Sequence, residues 1–184
     1  IDLGLPPFIE RSIKMAEADK ALVIIFDIDT FGGRLDAATQ IKDAILNSKI
    51  PTVAFINRRA ISAGALIALS CEKIYMSGGG TIGAATAVDM SGKKASEKVI
   101  SYMREEMAST AERRGRNVAI AKGMVDEELY FTKLLIEGDS VTVKDLEGRK
   151  EGKLITLTTE MAIKYKIADG LTETFEDLLE TLEI

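Results

Sequence analysis

A chain of 184 residues with no histidine, one cysteine and 24 basic against 29 acidic residues has room for one domain and lacks several chemistries at the outset. The formal charge of −5 argues against a nucleic-acid or anionic-lipid partner, because a phosphate-binding surface shows as clustered positive charge. A single cysteine excludes an internal disulfide, and without histidine a conventional zinc site is not expected. No metal and no cofactor is expected.

Lys20 and Asp27 bracket the strongest apolar run, so no stretch of about 20 residues could span a bilayer. The sequence starts Ile1-Asp2-Leu3, with neither an initiator methionine nor a basic-then-apolar leader, and is read as an excised part of something longer, with 1–184 as one domain. Pro7–Ala18 has a rough helical spacing with proline near its start. Ala21–Phe26 reads as a strand covered on both faces, and Asp27-Ile28-Asp29-Thr30-Phe31-Gly32-Gly33 ends it in a glycine turn. A helix over Leu35–Leu46, a strand over Pro51–Ile56, a short small-residue helix over 62–70 and a strand over Lys73–Met76 follow. Ser77–Gly83 reads as a glycine-rich loop.

This alternation predicts an α/β fold with a mostly parallel sheet and flanking helices. Lys94–Arg113 is a long helix with Val99, Met103 and Met107 at four-residue steps. Val141–Lys144 and Leu154–Leu157 read as a small β-hairpin around a polar turn containing Gly148. Thr158 or Thr159 caps a helix over Met161–Tyr165, Asp169-Gly170 ends that unit, and Phe175–Leu182 forms a short acidic helix.

No dinucleotide fingerprint and no phosphate loop occurs. Taken locally, Gly32-Gly33 is a tight turn and Ser62 a helix N-cap. Yet Ser62 follows a strand and heads a helix, where unpaired backbone N–H groups face a developing negative charge, so its hydroxyl could attack a carbonyl. A base would then have to be found without histidine. Lysine is the natural candidate, given a neighbouring cation or burial to lower its pKa, although composition does not select one.

The order and spacing of Asp29-Thr30-Phe31-Gly32-Gly33, Ser62-Ala63-Gly64, Gly80-Thr81-Ile82-Gly83-Ala84, Gly115-Arg116-Asn117 and Leu157–Gly170 carry a resemblance. The chain resembles the serine protease domain of the NfeD (nodulation formation efficiency D) family, in the Clp protease and signal peptide peptidase A class of the crotonase-like fold. The resemblance implies Ser62 as nucleophile and a lysine early in the long helix as base. Counting back from Gly115 gives Lys98, with Lys93 and Lys94 as rivals. It implies oxyanion donors at Gly32 or Gly33 and at Ala63. Phe31, Ile61, Thr81, Ile82 and Gly83 are expected to line the substrate, with apolar side chains preferred beside the cut bond. Phe31 stands where the family commonly has proline, and the family's first strand is missing or reduced to Ile1-Asp2-Leu3.

The resemblance further implies a Ser-Lys endopeptidase acting on apolar segments of peptides or membrane-associated proteins, stomatin-like partners among them. It implies a homo-oligomer, a dimer or larger, and a membrane-associated full-length protein with this soluble domain on the extracytoplasmic side. The alternatives are a non-catalytic peptide-binding or scaffold domain and an acyl-CoA hydratase or isomerase, which would use the same backbone oxyanion device.

Overall fold

The computed structural model describes residues 1–88, 91–143, 146 and 152–184. Its elements in chain order are α1 (Leu5–Ala18), β1 (Ile24–Thr30), α2 (Leu35–Leu46), β2 (Thr52–Ile61), α3 (Ala63–Ser70), β3 (Lys73–Met76), β4 (Thr81–Gly83) and α4 (Glu97–Arg113). There follow α5 (Val118–Gly123), β5 (Lys133–Ile136), β6 (Asp139–Thr142), β7 (Thr156–Thr158), α6 (Thr159–Lys164), β8 (Gly170–Leu171) and α7 (Phe175–Thr181).

β2 is the spine of the sheet. Thr52–Ile56 and Ala60 of this ten-residue strand pair in parallel with β1 along one side. On the other side Val53–Ile56 pair with β3, and Arg59–Ile61 pair with β4. β8 extends the sheet beyond β3 in parallel, and β7 extends it beyond β4 in the antiparallel sense. β1 is an edge strand, hydrogen-bonded to β2 alone among the described residues.

The period-two alternation of a strand divides β2 between two cores. Val53 and Phe55 pack with Leu178 of α7, while Ala54 and Ile56 join the main core. α3 is apolar all round, and all eight of its residues are buried, as a helix without a polar face requires. It packs against α2 and α4, and burial of Leu66 or Leu69 there contributes roughly 1.5–3 kcal/mol each. α4 shows a water-facing side and a core stripe of Ile100, Met103, Met107 and Ala111.

Several boundaries differ from the sequence reading. Thr81–Gly83 is a strand rather than part of a loop, because β2 and β7 flank it on both sides and complete its backbone bonding. α4 begins at Glu97, since Lys94 is held in a bridge to Val88 and Ala95 N–H donates to Ala87 O at 3.0 Å. The hairpin is β5–β6, with Val141 paired to Leu134. Its two-residue turn is Glu137-Gly138, both at positive φ, as the tight hairpin turn demands. The Gly148 turn lies outside the described residues, and Thr156–Thr158 pairs with β4 instead of closing a hairpin with Val141.

Candidate active site

Ser62 stands between the last residue of β2 and the first of α3, with φ 56° and ψ −122°, a conformation that favours glycine. Bonds on both sides hold it there: Ser62 N–H donates to Gly83 O at 3.0 Å and Ala65 N–H to Ser62 O at 2.9 Å. The Gly32-Gly33 turn leaves the neighbouring parallel strand β1 at the same carboxyl end of the sheet, where open α/β sheets present their crevices.

Gly32 has φ 112°, and a Cβ there would stand 2.6 Å from Ser62 Cβ and 3.1 Å from its Oγ. Only glycine allows so close an approach. The two glycines then part in role. Gly32 N–H donates to Thr30 Oγ1 at 3.1 Å and is occupied. Gly33 N–H and Ala63 N–H, the latter at the N-terminus of α3, have no protein acceptor among the described residues.

A cavity of about 400 Å³ opens beside Ser62, lined by Ile1, Gly33, Arg34, Leu35, Ala63, Ala85, Ala87, Val88, Val99 and Met103. Apart from Arg34 and Ser62 its side chains are apolar or absent. Val99 and Met103 lie one turn apart on α4 and form one wall. Ala85, Ala87 and Val88, just after β4, form another.

The structure distributes the expected substrate residues elsewhere. Phe31 is 76% exposed, with the Arg59 guanidinium 4.5 Å from its ring centroid, and does not line the cavity. Arg59 is itself held by Asp29 at 3.1 Å. Ile61, Thr81, Ile82 and Gly83 are paired across β2 and β4, Ile82 fully buried between Ala60 and Leu157. Gly83 reaches the site through its carbonyl, which holds Ser62 N–H. The cavity walls Ala85, Ala87, Val88, Val99 and Met103 were not singled out by sequence reasoning as site residues. The available signal was the four-residue step of Val99 and Met103.

Lys98 lies in the first turn of α4, immediately before the wall residue Val99. Its side chain is exposed, and among the described residues it makes no hydrogen bond or ion pair; Ser62 Oγ likewise bonds to no base. Lys94 is paired with Glu127 at 2.8 Å, and that hydrogen bond raises its pKa, the direction opposite to what a general base requires. Lys93 is exposed.

Gly115-Arg116-Asn117 proves to be a fastening. Arg116, with its side chain 5% exposed, donates to Ile167 O, Glu72 O and Asp169 Oδ2 at 2.6, 3.0 and 3.0 Å. Asn117 Oδ1 caps α5 by accepting Ile120 N–H, and its Nδ2 donates to Leu135 O. These residues line a separate cavity of about 490 Å³ with Arg114, Lys73 and Lys166, whose charges are met by Glu72, Asp169 and Glu137.

The family model described as NfeD1b, N-terminal domain, matches residues 1–184. Membrane protein NfeD1b of Bacillus subtilis (strain 168) is 35% identical over 182 residues, which is 99% of this chain and 39% of that protein. Membrane-bound protease PH1510 of Pyrococcus horikoshii is 36% identical over 131 residues, 67% of this chain and 30% of that protein. The chain thus spans less than half the length of either relative.

Among solved structures, a lysine-to-alanine mutant of the 1510-N membrane-bound stomatin-specific protease, in complex with a substrate peptide, superposes with a TM-score of 0.75 at 29% identity. The match covers 95% of this chain and 72% of that one. ClpP1 from Listeria monocytogenes, at 19% identity and TM-score 0.65 over 97% of this chain and 89% of that one, shares the fold. Carrying the Clp protease-like fold and matched to the family model from end to end, the chain belongs to the NfeD1b N-terminal domain family.

Proposed function

We propose that this domain is a serine endopeptidase in which Ser62 is the nucleophile and Lys98 the base. The observation that carries the reading is Ser62 held at φ 56° beside Gly33 N–H and Ala63 N–H, both without an acceptor among the described residues, with an apolar cavity alongside. Strain at one residue, pinned by bonds on both sides, is characteristic of functional positions. Support also comes from the relatives: PH1510 is a membrane-bound protease, and the solved 1510-N structures include serine-to-alanine and lysine-to-alanine mutants.

In this mechanism Ser62 Oγ attacks the scissile carbonyl carbon while its proton passes to neutral Lys98 Nζ. The carbonyl oxygen becomes an oxyanion facing Gly33 N–H and Ala63 N–H, a device worth about 10²–10³ in rate per donor. Collapse expels the amine, which takes the proton from Lys98, and leaves an acyl group on Ser62. Water, deprotonated by Lys98, then releases the acid and restores Ser62. Lys98 is exposed without substrate. An apolar side chain filling the cavity beside Val99 removes water from that turn of α4 and shields the proton transfer from solvent.

The substrate class is an apolar segment of a peptide or membrane-associated protein, with a stomatin-like protein as a candidate partner because 1510-N is stomatin-specific. A membrane-associated full-length protein is supported by both relatives being membrane proteins, and the extracytoplasmic side for this domain is part of the proposal; no described helix is long and apolar enough to cross a membrane. The unjoined Ser62 and Lys98 favour a second reading, a non-catalytic peptide-binding or scaffold domain. An acyl-CoA hydratase or isomerase would share the oxyanion donors but has no use for Ser62.

A fluorophosphonate probe followed by intact-mass measurement separates these readings. The catalytic reading expects one adduct in the wild type, none in Ser62→Ala and slow labelling in Lys98→Met. Equal labelling of all three, or none in the wild type, counts against it.

A further inference from the structure

We infer that Arg104 and Asp126 are positioning residues that set the width of the cavity beside Ser62, and so the size of side chain the site selects. This rests on the reading of that cavity as the substrate pocket. The two walls come from separate pieces of chain, and both are fastened to one short turn after α5. On the first wall, Ala85 N–H donates to Met124 O at 2.6 Å, and Thr86 Oγ1 donates to Val125 O. On the second, Arg104, next to the wall residue Met103, donates through Nη1 to Asp126 Oδ2.

Asp126 is the buried partner, its side chain 10% exposed, and its Oδ1 accepts Glu128 N–H at 2.9 Å, so the carboxylate has little freedom to follow a moving helix. Glu97 and Glu105 also approach Arg104, at 3.6 and 3.8 Å, but they are 75% and 60% exposed and weakly coupled through water. At the mouth the same walls meet through Ala95 N–H donating to Ala87 O at 3.0 Å, and Lys94 pairs with Glu127 of the turn. At the back, where α4 also packs against α5, the Arg104–Asp126 pair is the more buried of two described ion pairs joining α4 to α5 and its turn, the other being Lys122–Glu105 at 3.1 Å with both side chains more exposed.

The consequence is for selectivity. The first wall presents small side chains, Ala85 and Ala87, so the fit of an incoming group depends on how far that wall stands from Val99 and Met103. Apolar pockets discriminate one methylene by about 10- to 200-fold when the fit is tight. A gap of even 0.5–1 Å forfeits about a quarter to a half of the dispersion well. Loosening the lock flattens the preference.

The test uses a peptide series differing only at the residue that enters the cavity (Val, Leu, Met, Phe). kcat and KM are measured for wild type, Asp126→Asn, Arg104→Met, Arg104→Lys and the double variant Arg104→Met/Asp126→Asn. Kd values for the same peptides are measured with each substitution in a Ser62→Ala background. The inference expects the best-to-worst ratio to fall about fivefold or more in Asp126→Asn and Arg104→Met, Arg104→Lys to restore part of it, and the double variant to be no worse than either single. A uniform loss across the series, or unchanged ratios, overturns it, and urea midpoints identify any variant that simply unfolds. Graded Kd values that flatten without any wild-type hydrolysis uphold the positioning role and refute the catalytic reading. Neither hydrolysis nor graded binding in the wild type overturns both.

Discussion

Replacing Ser62 by glycine should give a more stable protein than replacing it by alanine, although both remove the nucleophile. At φ 56° and ψ −122° a residue with a Cβ bears about 1–3 kcal/mol of backbone strain that glycine does not. Against this stands the greater entropy of glycine in the unfolded chain, roughly 0.5–1 kcal/mol, and the loss of one half-buried methyl, about 0.4 kcal/mol. The difference is a gain of about 1 kcal/mol for Ser62→Gly over Ser62→Ala. With a slope of about 2 kcal/mol per molar urea, the unfolding midpoint should lie roughly 0.5 M higher. Equilibrium urea denaturation followed by circular dichroism reads this directly. A Ser62→Gly midpoint at or below that of Ser62→Ala would show that the site holds no such strain.

Asp169, its side chain 24% exposed, is paired with buried Arg116, and although partial desolvation opposes its charge, the hydrogen bond from Ile74 N–H and the Arg116 guanidinium hold its carboxyl below the usual value. A depressed folded pKa gives stability that is present above the unfolded value, about 3.9, and lost as pH falls toward the folded one. Asp169→Asn should therefore cost roughly 1–2 kcal/mol near neutral pH once solvent screening is allowed for, with the gap to wild type closing below about pH 4 in urea titrations at several pH values. Phe31→Ala removes an exposed ring stacked under Arg59 and should change stability by no more than about 1 kcal/mol while leaving the apolar preference of the site unaltered, as a kcat/KM series would show. Light scattering should find at least a dimer, consistent with exposed Leu135 on the β5–β6 hairpin; a 20.0 kDa monomer at high concentration would contradict this.

The regular helices were legible where apolar periodicity and capping agree, and α2 runs over Leu35–Leu46 as the pattern predicts. β4 and β8, of three and two residues, carry no periodicity of their own, and only their neighbours make them strands. The hairpin turn was hidden because Glu137, not asparagine or aspartate, accompanies Gly138. At the site, the order of motifs led to Ser62 and the glycine pair, but the choice between Gly32 and Gly33 depends on Thr30 Oγ1 occupying one N–H, a contact without any sequence signature. Phe31 was assigned to the pocket from its place in the chain. Adjacent residues of an extended chain point to opposite sides, and Arg59 draws this ring away.

Whether Ser62 and Lys98 together cut peptide bonds is read by mass spectrometry of an apolar peptide library after incubation with wild type, Ser62→Ala and Lys98→Met. New product peptides should appear with the wild type and none above background with either variant. Products that persist undiminished in Ser62→Ala, or a library left intact by a folded wild type, would contradict this expectation.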